Sequence, residues 1–491
     1  MADLNLLPLA VAIPLAAAFL VPLVPKKSRA LANAIALLAS VGLAAVVLYL
    51  LGRSGSYAVG GWKAPVGIEL RLDGLSWLML AVVAGVSLCI VLYATRYMDH
   101  YTARGKFYAL FFLMIAGMCG VVITGDLFNM YVFLEIAAIA SYALVAFGCE
   151  AEELEASFKY AVLGSIASSF VLLALALLYG RFGTVNLTQL AGKIGSASEG
   201  AKPLITFAKV LLFVGFGLKA ALVPFHAWLP DAHPSAPAPV SAMLSGLLIK
   251  TIGVYALVRL AFTVFGLTAG DKVSVALMTL AALSILAGNV LALAQWDFKR
   301  LLAYSSIAQI GYVVLGIGLA TPLGVAAGLF HLVNHSVFKS LLFLNAGAVE
   351  QATGTRRLDE MGGLRERMPV TGATSMVASM SIAGVPPFSG FFSKLLVIVA
   401  CVQATSVGPI RYVFALVAVV GSVITLAYLL KVQRHGFFGK LRDKWRDVRE
   451  APFMMSSAMV LLAVACLALS LLWLPGVREL ILDPARKVLV P

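Results

Sequence analysis

Apolar residues run in blocks of about 20 along almost the whole chain, with short polar or charged stretches between them. Blocks of that length match a helical path across a bilayer. The pattern predicts about fourteen spans, near 4–24, 30–52, 74–94, 107–124, 126–148, 157–180, 204–229, 238–262, 272–295, 300–320, 322–350, 369–404, 409–433 and 452–474. No stretch between them is long enough for a separate soluble domain. The expected fold is therefore all-α, a polytopic membrane bundle. Composition agrees: 61% of the 491 residues are hydrophobic and 12% charged, against roughly 25% charged in soluble proteins. Asp3 and no Lys or Arg precede the first block, so it lacks the basic start of a cleaved signal peptide and is expected to be retained.

Loop charge predicts orientation. Lys26, Lys27, Arg29, Arg96, Arg104, Lys106, Arg356, Arg357, Arg365, Arg367 and the run from Lys431 to Arg449 fall in loops after odd-numbered spans. By this count about 20 bases lie on that side and about 12 on the other. Both termini are then expected outside the cytoplasm, in the cytoplasmic (inner) membrane. The net charge of +14 follows from these loops and implies no nucleic-acid partner. Two readings are open for the Lys431–Arg449 run with Trp445: topology and anionic lipid contact, or docking of a neighbouring subunit. Glu150, Glu152, Glu153 and Glu155 read as a solvated loop leading into the next helix. The five cysteines form no CxxC pair, so neither a cluster nor a zinc site is expected, and they read as small buried hydrophobes.

Two blocks are broken. In LKAALVPFHAWLPDAHPSAPAPVSAMLSGLLIK, Pro224 interrupts a helix five residues after Lys219. A polar crossing with His226, Asp231, His233 and Pro234 follows, and Lys250 lies inside the next apolar run. In AGVPPFSGFFSK, Gly384, Pro386, Pro387 and Gly390 break a later block just before Lys394. A broken span frees backbone polar groups, which must be buried in protein or line a wet cavity. Paired breaks at corresponding positions indicate repeated transporter halves. An offset of five spans implies inverted repeats, so the chain divides into 1–106, two repeats at 107–265 and 266–434, and a closing segment, 435–491.

Charged groups inside spans are costly, about 2.5–3.5 kcal/mol at mid-membrane. The bases left inside after the loop count are all lysines: Lys209, Lys219, Lys250, Lys339 and Lys394. An ammonium can give up its proton and a guanidinium effectively cannot, which suits groups that change protonation state. Lys209, near a span start, is equally placed to snorkel to the interface. Glu135, about ten residues into its span, is the matching acid. Asp126, at that span's start, reads as a helix cap. His331, His335 and Lys339 recur at i, i+4 and i+8, one helix face about 12 Å long. A proton relay fits them because imidazole titrates near neutrality. Metal binding by HxxxH and a structural hydrogen-bonding stripe are the other readings, and no third metal ligand is placed for the first.

Together NMYVFLE, LKAALVPFHAWLPDAHPSAP, GLLIK, HLVNHSVFKSLLF and PPFSGFFSK resemble the antiporter-like subunit family. That family comprises large membrane subunits of respiratory complex I, the D subunit of Mrp-type cation/proton antiporters, and the equivalent subunit of membrane-bound hydrogenases. The resemblance covers roughly the fourth to thirteenth spans. It implies fourteen helices, two inverted five-helix repeats, broken seventh and twelfth helices, and a polar axis. Residue by residue, Glu135 matches the family's fifth-helix glutamate and Lys219 its seventh-helix partner. Lys250 matches the lysine linking the halves, His331, His335 and Lys339 the eleventh-helix relay, and Lys394 the terminal group. Some complex I members have glutamate at that last position. With the absence of a long lateral extension after the last span, this favours the antiporter D or hydrogenase branch.

The expected function is proton translocation along a Glu/Lys/His axis, within a multisubunit membrane complex whose partners are other membrane subunits. Sodium, if carried at all, would pass through one of those partners. No nucleotide, flavin, haem or cluster motif is present, so no cofactor is expected. The chain would do no redox chemistry itself and would draw its energy from a redox partner, as in an NADH:quinone oxidoreductase-like or hydrogenase complex, or from an ion gradient. A stand-alone ion or solute transporter and a purely structural membrane subunit are the alternatives.

Overall fold

The computed structural model describes residues 4–25 and 27–490; Asp3 and Lys26 lie outside them. In chain order the helices are α1 (Leu9–Leu20), α2 (Arg29–Tyr49), α3 (Gly74–Tyr97), α4 (Arg104–Ile123), α5 (Leu127–Val145), α6 (Ala151–Phe182) and α7 (Leu187–Gly195). Then come α8 (Lys202–Lys219), α9 (Leu229–Ser235) and α10 (Ala238–Val264). The rest are α11 (Lys272–Ala294), α12 (Phe298–Gly318), α13 (Pro322–Thr353), α14 (Pro369–Ala383), α15 (Ser389–Gln403), α16 (Arg411–Val432), α17 (Phe453–Ala468) and α18 (Pro475–Leu489). Among the described residues, twelve helical segments are long and apolar enough to cross a membrane, and Leu9–Leu23 and Ser389–Gln403 are shorter apolar helices.

The ends of these helices follow local chemistry. Asp73 caps α3 in a reciprocal pair with Ser76, which satisfies orphan amides of the first turn. Asp126 caps α5 as expected, accepting from the Asn129 amide at 2.8 Å. Thr321 caps α13 with Pro322 in the first turn, and Gly354, in the left-handed region at φ 70°, ends it. The all-α expectation needs one amendment. Gly55–Ala58 (β1) and Glu69–Leu72 (β2) pair antiparallel in the loop before α3, with Asn186 donating to Glu69 at 2.9 Å.

Three helices form the centre: the most apolar windows of α10 and α12 are 94% buried, and that of α13 is 100% buried. Helices such as α2, α11 and α16 surround them and expose apolar faces, as a lipid-facing layer must. At the centre α10 is wound largely as π-helix, over Leu244–Tyr255 and Leu260–Val264; wide turns of this kind frequently occur at functional sites. C-terminal α18 is amphipathic, burying Leu482, Ala485 and Leu489. A side chain on Gly74 would sit 2.4 Å from the Pro484 backbone, so α18 seats directly on the start of α3.

Both breaks are present. Helix α8 ends at Lys219 and regular helix resumes only at Leu229. Trp228 Nε1 donates to the freed Leu218 carbonyl at 3.1 Å, and the Val223 amide donates to Ser284 at 2.9 Å. The turn packs on α10 so closely that a Cβ on Gly253 would meet the Ala220 backbone at 2.5 Å. The block expected over 369–404 is two helices, α14 and α15, parted at Gly384 with φ 83°. A Cβ on Gly390 would lie 1.8 Å from the Ser381 carbonyl oxygen. The basic loop after α16 is tied to this broken pair, since Glu450 accepts from the Val370 amide at 2.7 Å and from Thr371 Oγ1 at 2.6 Å.

Candidate proton-conducting site

The seven residues expected to act together lie on α5, α8, α10, α13 and α15; all but Glu135 are buried. Lys219, in the last turn of α8, reaches Glu135 on α5 at 3.5 Å and the Gly164 carbonyl on α6 at 3.4 Å. Ser168 donates to the same Glu135 oxygen. Lys219 is buried, whereas 24% of the Glu135 side chain is exposed. The carboxylate therefore sits at the flank of the bundle, where Val132 and Ile139 of α5 are also exposed, and is less enclosed than its depth in the sequence suggested.

Lys250, on the π-wound part of α10, is 0% exposed and donates to the Ser245 carbonyl. Ser245 and Ser306 share a hydrogen bond of 2.7 Å, and Ser306 donates to the Leu302 carbonyl at 2.9 Å. Lys339 donates to that same carbonyl at 2.8 Å. Polar atoms thus lead from the lysine of α10 to that of α13 past the first half of α12, with one gap in the hydrogen bonding, between the Ser245 carbonyl and its own hydroxyl.

On α13 the rings of His331 and His335 lie near-parallel with centroids 6.4 Å apart, which is the single face that the i, i+4 spacing predicts. His331 bonds to Ser393 at 3.0 Å and to Gln309 at 3.2 Å; neither ring nitrogen of His335 has a protein partner among the described residues. Lys394 follows one residue after Ser393. Its Nζ is buried without a hydrogen-bond partner among the described residues and lies 4.7 Å from the centre of the Tyr312 ring, which is itself 5.5 Å from the His331 ring. Of the group, Lys219 is the lysine with a carboxylate partner. Among the described residues no group of three or more His, Cys, Asp or Glu is placed to hold a metal ion.

Three expectations need correction. Bases inside spans are not all lysine. Arg259 of α10 is buried and forms a two-pronged pair with Asp73, at 2.8 and 2.9 Å, with Tyr255 on its other side. Arg259 lies near a span end and so counted with a loop. Its partner is 186 residues away, and fixed charge at this point ties α10 to the start of α3. Lys299 also counted with a loop, yet it is 3% exposed at its side chain and pairs with Glu350 at 2.6 Å. The adjacent cap, Asp297, made it look like loop. The cysteines are not uniformly buried either, because Cys149 is exposed. Lys209 is partly buried, with its Nζ 5.1 Å from the centre of the Phe265 ring.

Two broken spans and lysines and histidines buried among membrane helices mark a polytopic, ion-translocating class of membrane subunit. The family described as NADH:quinone oxidoreductase/Mrp antiporter, TM, matches residues 124–425, and the N-terminal segment of complex I chain 5 matches 59–108. The chain belongs to this NADH:quinone oxidoreductase/Mrp antiporter family. It is 39% identical over 412 residues to the N subunit of the NADH-quinone oxidoreductase of Desulforudis audaxviator, covering 83% of this chain and 80% of that one. With the D subunit of the Na(+)/H(+) antiporter of Alkalihalophilus pseudofirmus it shares 34% over 419 residues, 84% and 83% of the two chains. A chain in the structure of an archaeal respiratory complex, the membrane-bound sulfane sulfur reductase, superposes with a TM-score of 0.89 at 30% identity, over 99% and 98% of the chains. Relatives from both the respiratory and the antiporter branches thus align over most of the chain.

Proposed function

We propose that protons move along the line Glu135, Lys219, Lys250, Lys339, His335, His331 and Lys394, as the working path of a proton-translocating, antiporter-like subunit in a multisubunit membrane complex. The observation that carries this is the burial of Lys250, Lys339 and Lys394 in one bundle, with no carboxylate paired to any of them among the described residues. Several fixed positive charges in one low-dielectric space repel one another strongly. Such a set is tolerable when protons are shared among the sites, and then the occupancy of one site biases the next. The Glu135–Lys219 pair sits at one end and works as a switch, because a buried pair contributes little over apolar packing. The other end is Lys394, beside the second break.

The twelve long apolar helices, with Leu9–Leu23 and Ser389–Gln403, support fourteen crossings. Two inverted repeats, 107–265 and 266–434, would then carry one break each. The basic loops favour the cytoplasm for the Lys431–Arg449 side of the inner membrane and the opposite side for both termini. Labelling of single cysteines at Ser196 and Lys444 in intact cells tests this: Ser196 should react from outside and Lys444 only after permeabilisation. The names of the relatives place them in Na(+)/H(+) antiporters and quinone oxidoreductases, which supports partner subunits here. The path is tested by Lys250→Met in vesicles holding the whole complex. Proton translocation should stop while the complex stays assembled, and translocation at the parental rate would overturn the reading.

A further inference from the structure

The buried line needs an opening to water, and Lys250, Lys339, His331 and His335 have none of their own, each being 0% exposed. An open cleft with a volume of about 400 Å³ lies where α6, α9 and α12 begin or end together, ringed by Glu152, Lys159, Asp231, Asp297, Arg300 and Arg356. Its charges are paired: Asp231 meets Lys159 at 3.1 Å and Arg300 at 3.2 Å, and Arg356 meets Asp297 at 3.2 Å. Arg356 also approaches Glu350 at 3.7 Å, and Glu350 contacts Lys299. The Glu350 side chain is 26% exposed and that of Lys299 3%, so the pair leads inward from Arg356 on the rim of the cleft. Lys299 also donates to the Ala236 carbonyl at 3.2 Å, in the crossing that carries His233.

His233 is the second observation. It is 0% exposed, and neither ring nitrogen has a hydrogen-bond partner among the described residues. Its ring packs on Phe343 at 4.7 Å, four residues beyond Lys339 on α13. Leaving buried polar atoms without partners is costly. Packing against phenylalanine could be had from an apolar ring without that cost, so the imidazole is there for its nitrogens.

We infer that this cleft is a proton mouth: Glu350 takes the proton from water, Lys299 relays it, and His233 is the first fully buried acceptor ahead of Lys250 and Lys339. The inference rests on the proposed path and adds its connection to water on the side of the basic loops. Glu350 takes up a proton and becomes neutral, so Lys299 loses its counter-ion. Lys299 passes a proton to the lone pair of a His233 ring nitrogen and recovers one from Glu350. The pair ends as it began, with one proton moved inward, and the imidazolium gives that proton to an unprotonated Lys339 or Lys250.

Translocation by the whole complex in vesicles tests this. Glu350→Gln should slow it by about 100-fold, the scale of one positioned proton carrier, with the complex intact on a native gel. A small weak acid such as azide, added on the cleft side, should restore the rate by replacing the lost carboxyl. A parental rate overturns the assignment, and so does a loss that no weak acid restores. Lys299→Arg keeps the charge pair and the packing but holds its proton, so it should also fail; a parental rate there overturns the relay. His233→Asn should fail with or without weak acid, and a parental rate removes His233 from the route. Lys250→Met in the same vesicles separates the two readings. If it translocates, the path itself is wrong; if it is dead beside a parental Glu350→Gln, only the mouth is wrong.

Discussion

Glu135→Gln removes a charge while leaving an oxygen for Ser168 to donate to, and so isolates the electrostatic part of the pair with Lys219. At 3.5 Å the attraction between unit charges is about 5 kcal/mol for an effective dielectric constant near 20. Water at the partly exposed carboxylate screens some of it, and desolvation of both groups offsets more. A coupling of about 1–3 kcal/mol remains. Lys219 without its partner keeps only the Gly164 carbonyl, at 3.4 Å. Denaturant titration of the subunit in mixed micelles, for Glu135→Gln, Lys219→Met and the double variant, reads the coupling: the double should cost less than the two singles together. In vesicles holding the complex, each single variant should lose about 100-fold in translocation, followed by a pH-sensitive dye. Stability effects that add to within about 0.5 kcal/mol, with near-parental translocation in Glu135→Gln, would refute the switch.

Lys394→Arg should assemble and fail to translocate by a similar factor, since a guanidinium keeps its proton; activity in that variant would remove Lys394 from the path. Gly390→Ala drives a methyl group into the Ser381 carbonyl. It should destabilise by about 1–3 kcal/mol, the usual cost of overpacking, and a melting curve equal to the parent's would contradict the close approach. Asp73 lies just outside its span. Burial raises its carboxyl, and the charge and hydrogen bonds of Arg259 outweigh this, holding it below the ordinary value. Its stabilisation is therefore complete at neutral pH, above the ordinary carboxylate range, and is lost as the pH falls through the lowered value. Asp73→Asn should cost about 3–5 kcal/mol at neutral pH, the penalty of leaving Arg259 unpaired, and progressively less in acid, as read by thermal unfolding at a series of pH values.

Runs of about 20 apolar residues made the spans legible, because hydrocarbon thickness sets their length. The breaks were legible because proline cannot continue a helix. The i, i+4 spacing put His331 and His335 on one face from sequence alone. The meeting of Glu135 with Lys219 was not legible in this way. Those residues are 84 apart, and only the resemblance to a family brought them together. Arg259 and Lys299 were missed for a related reason. Each lies near a helix end, where hydropathy cannot tell a solvated base from a buried one, and each is buried by a partner remote in sequence. The π-wound stretch around Lys250 and the β1–β2 pair carry no signal in apolar run length, since they arise from packing against neighbours.

Helix α13 has a consequence for how the protein is made. Its most apolar window is entirely enclosed by other helices and has a mean hydropathy of 1.2, the lowest of the twelve candidate spans. It bears His331, Asn334, His335 and Lys339, and a lysine alone costs about 2.5–3.5 kcal/mol to insert at the centre of a bilayer. Left to itself in lipid during synthesis, such a segment would tend to slip back out. The ribosome delivers α12, with Leu302 and Gln309 ready to receive Lys339 and His331, immediately beforehand. The helices emerging later, α14, α15, α17 and α18, then shut it off from lipid. Chain order thus acts as an assembly schedule, in which the most polar helix joins a half-built shelter and is sealed in afterwards.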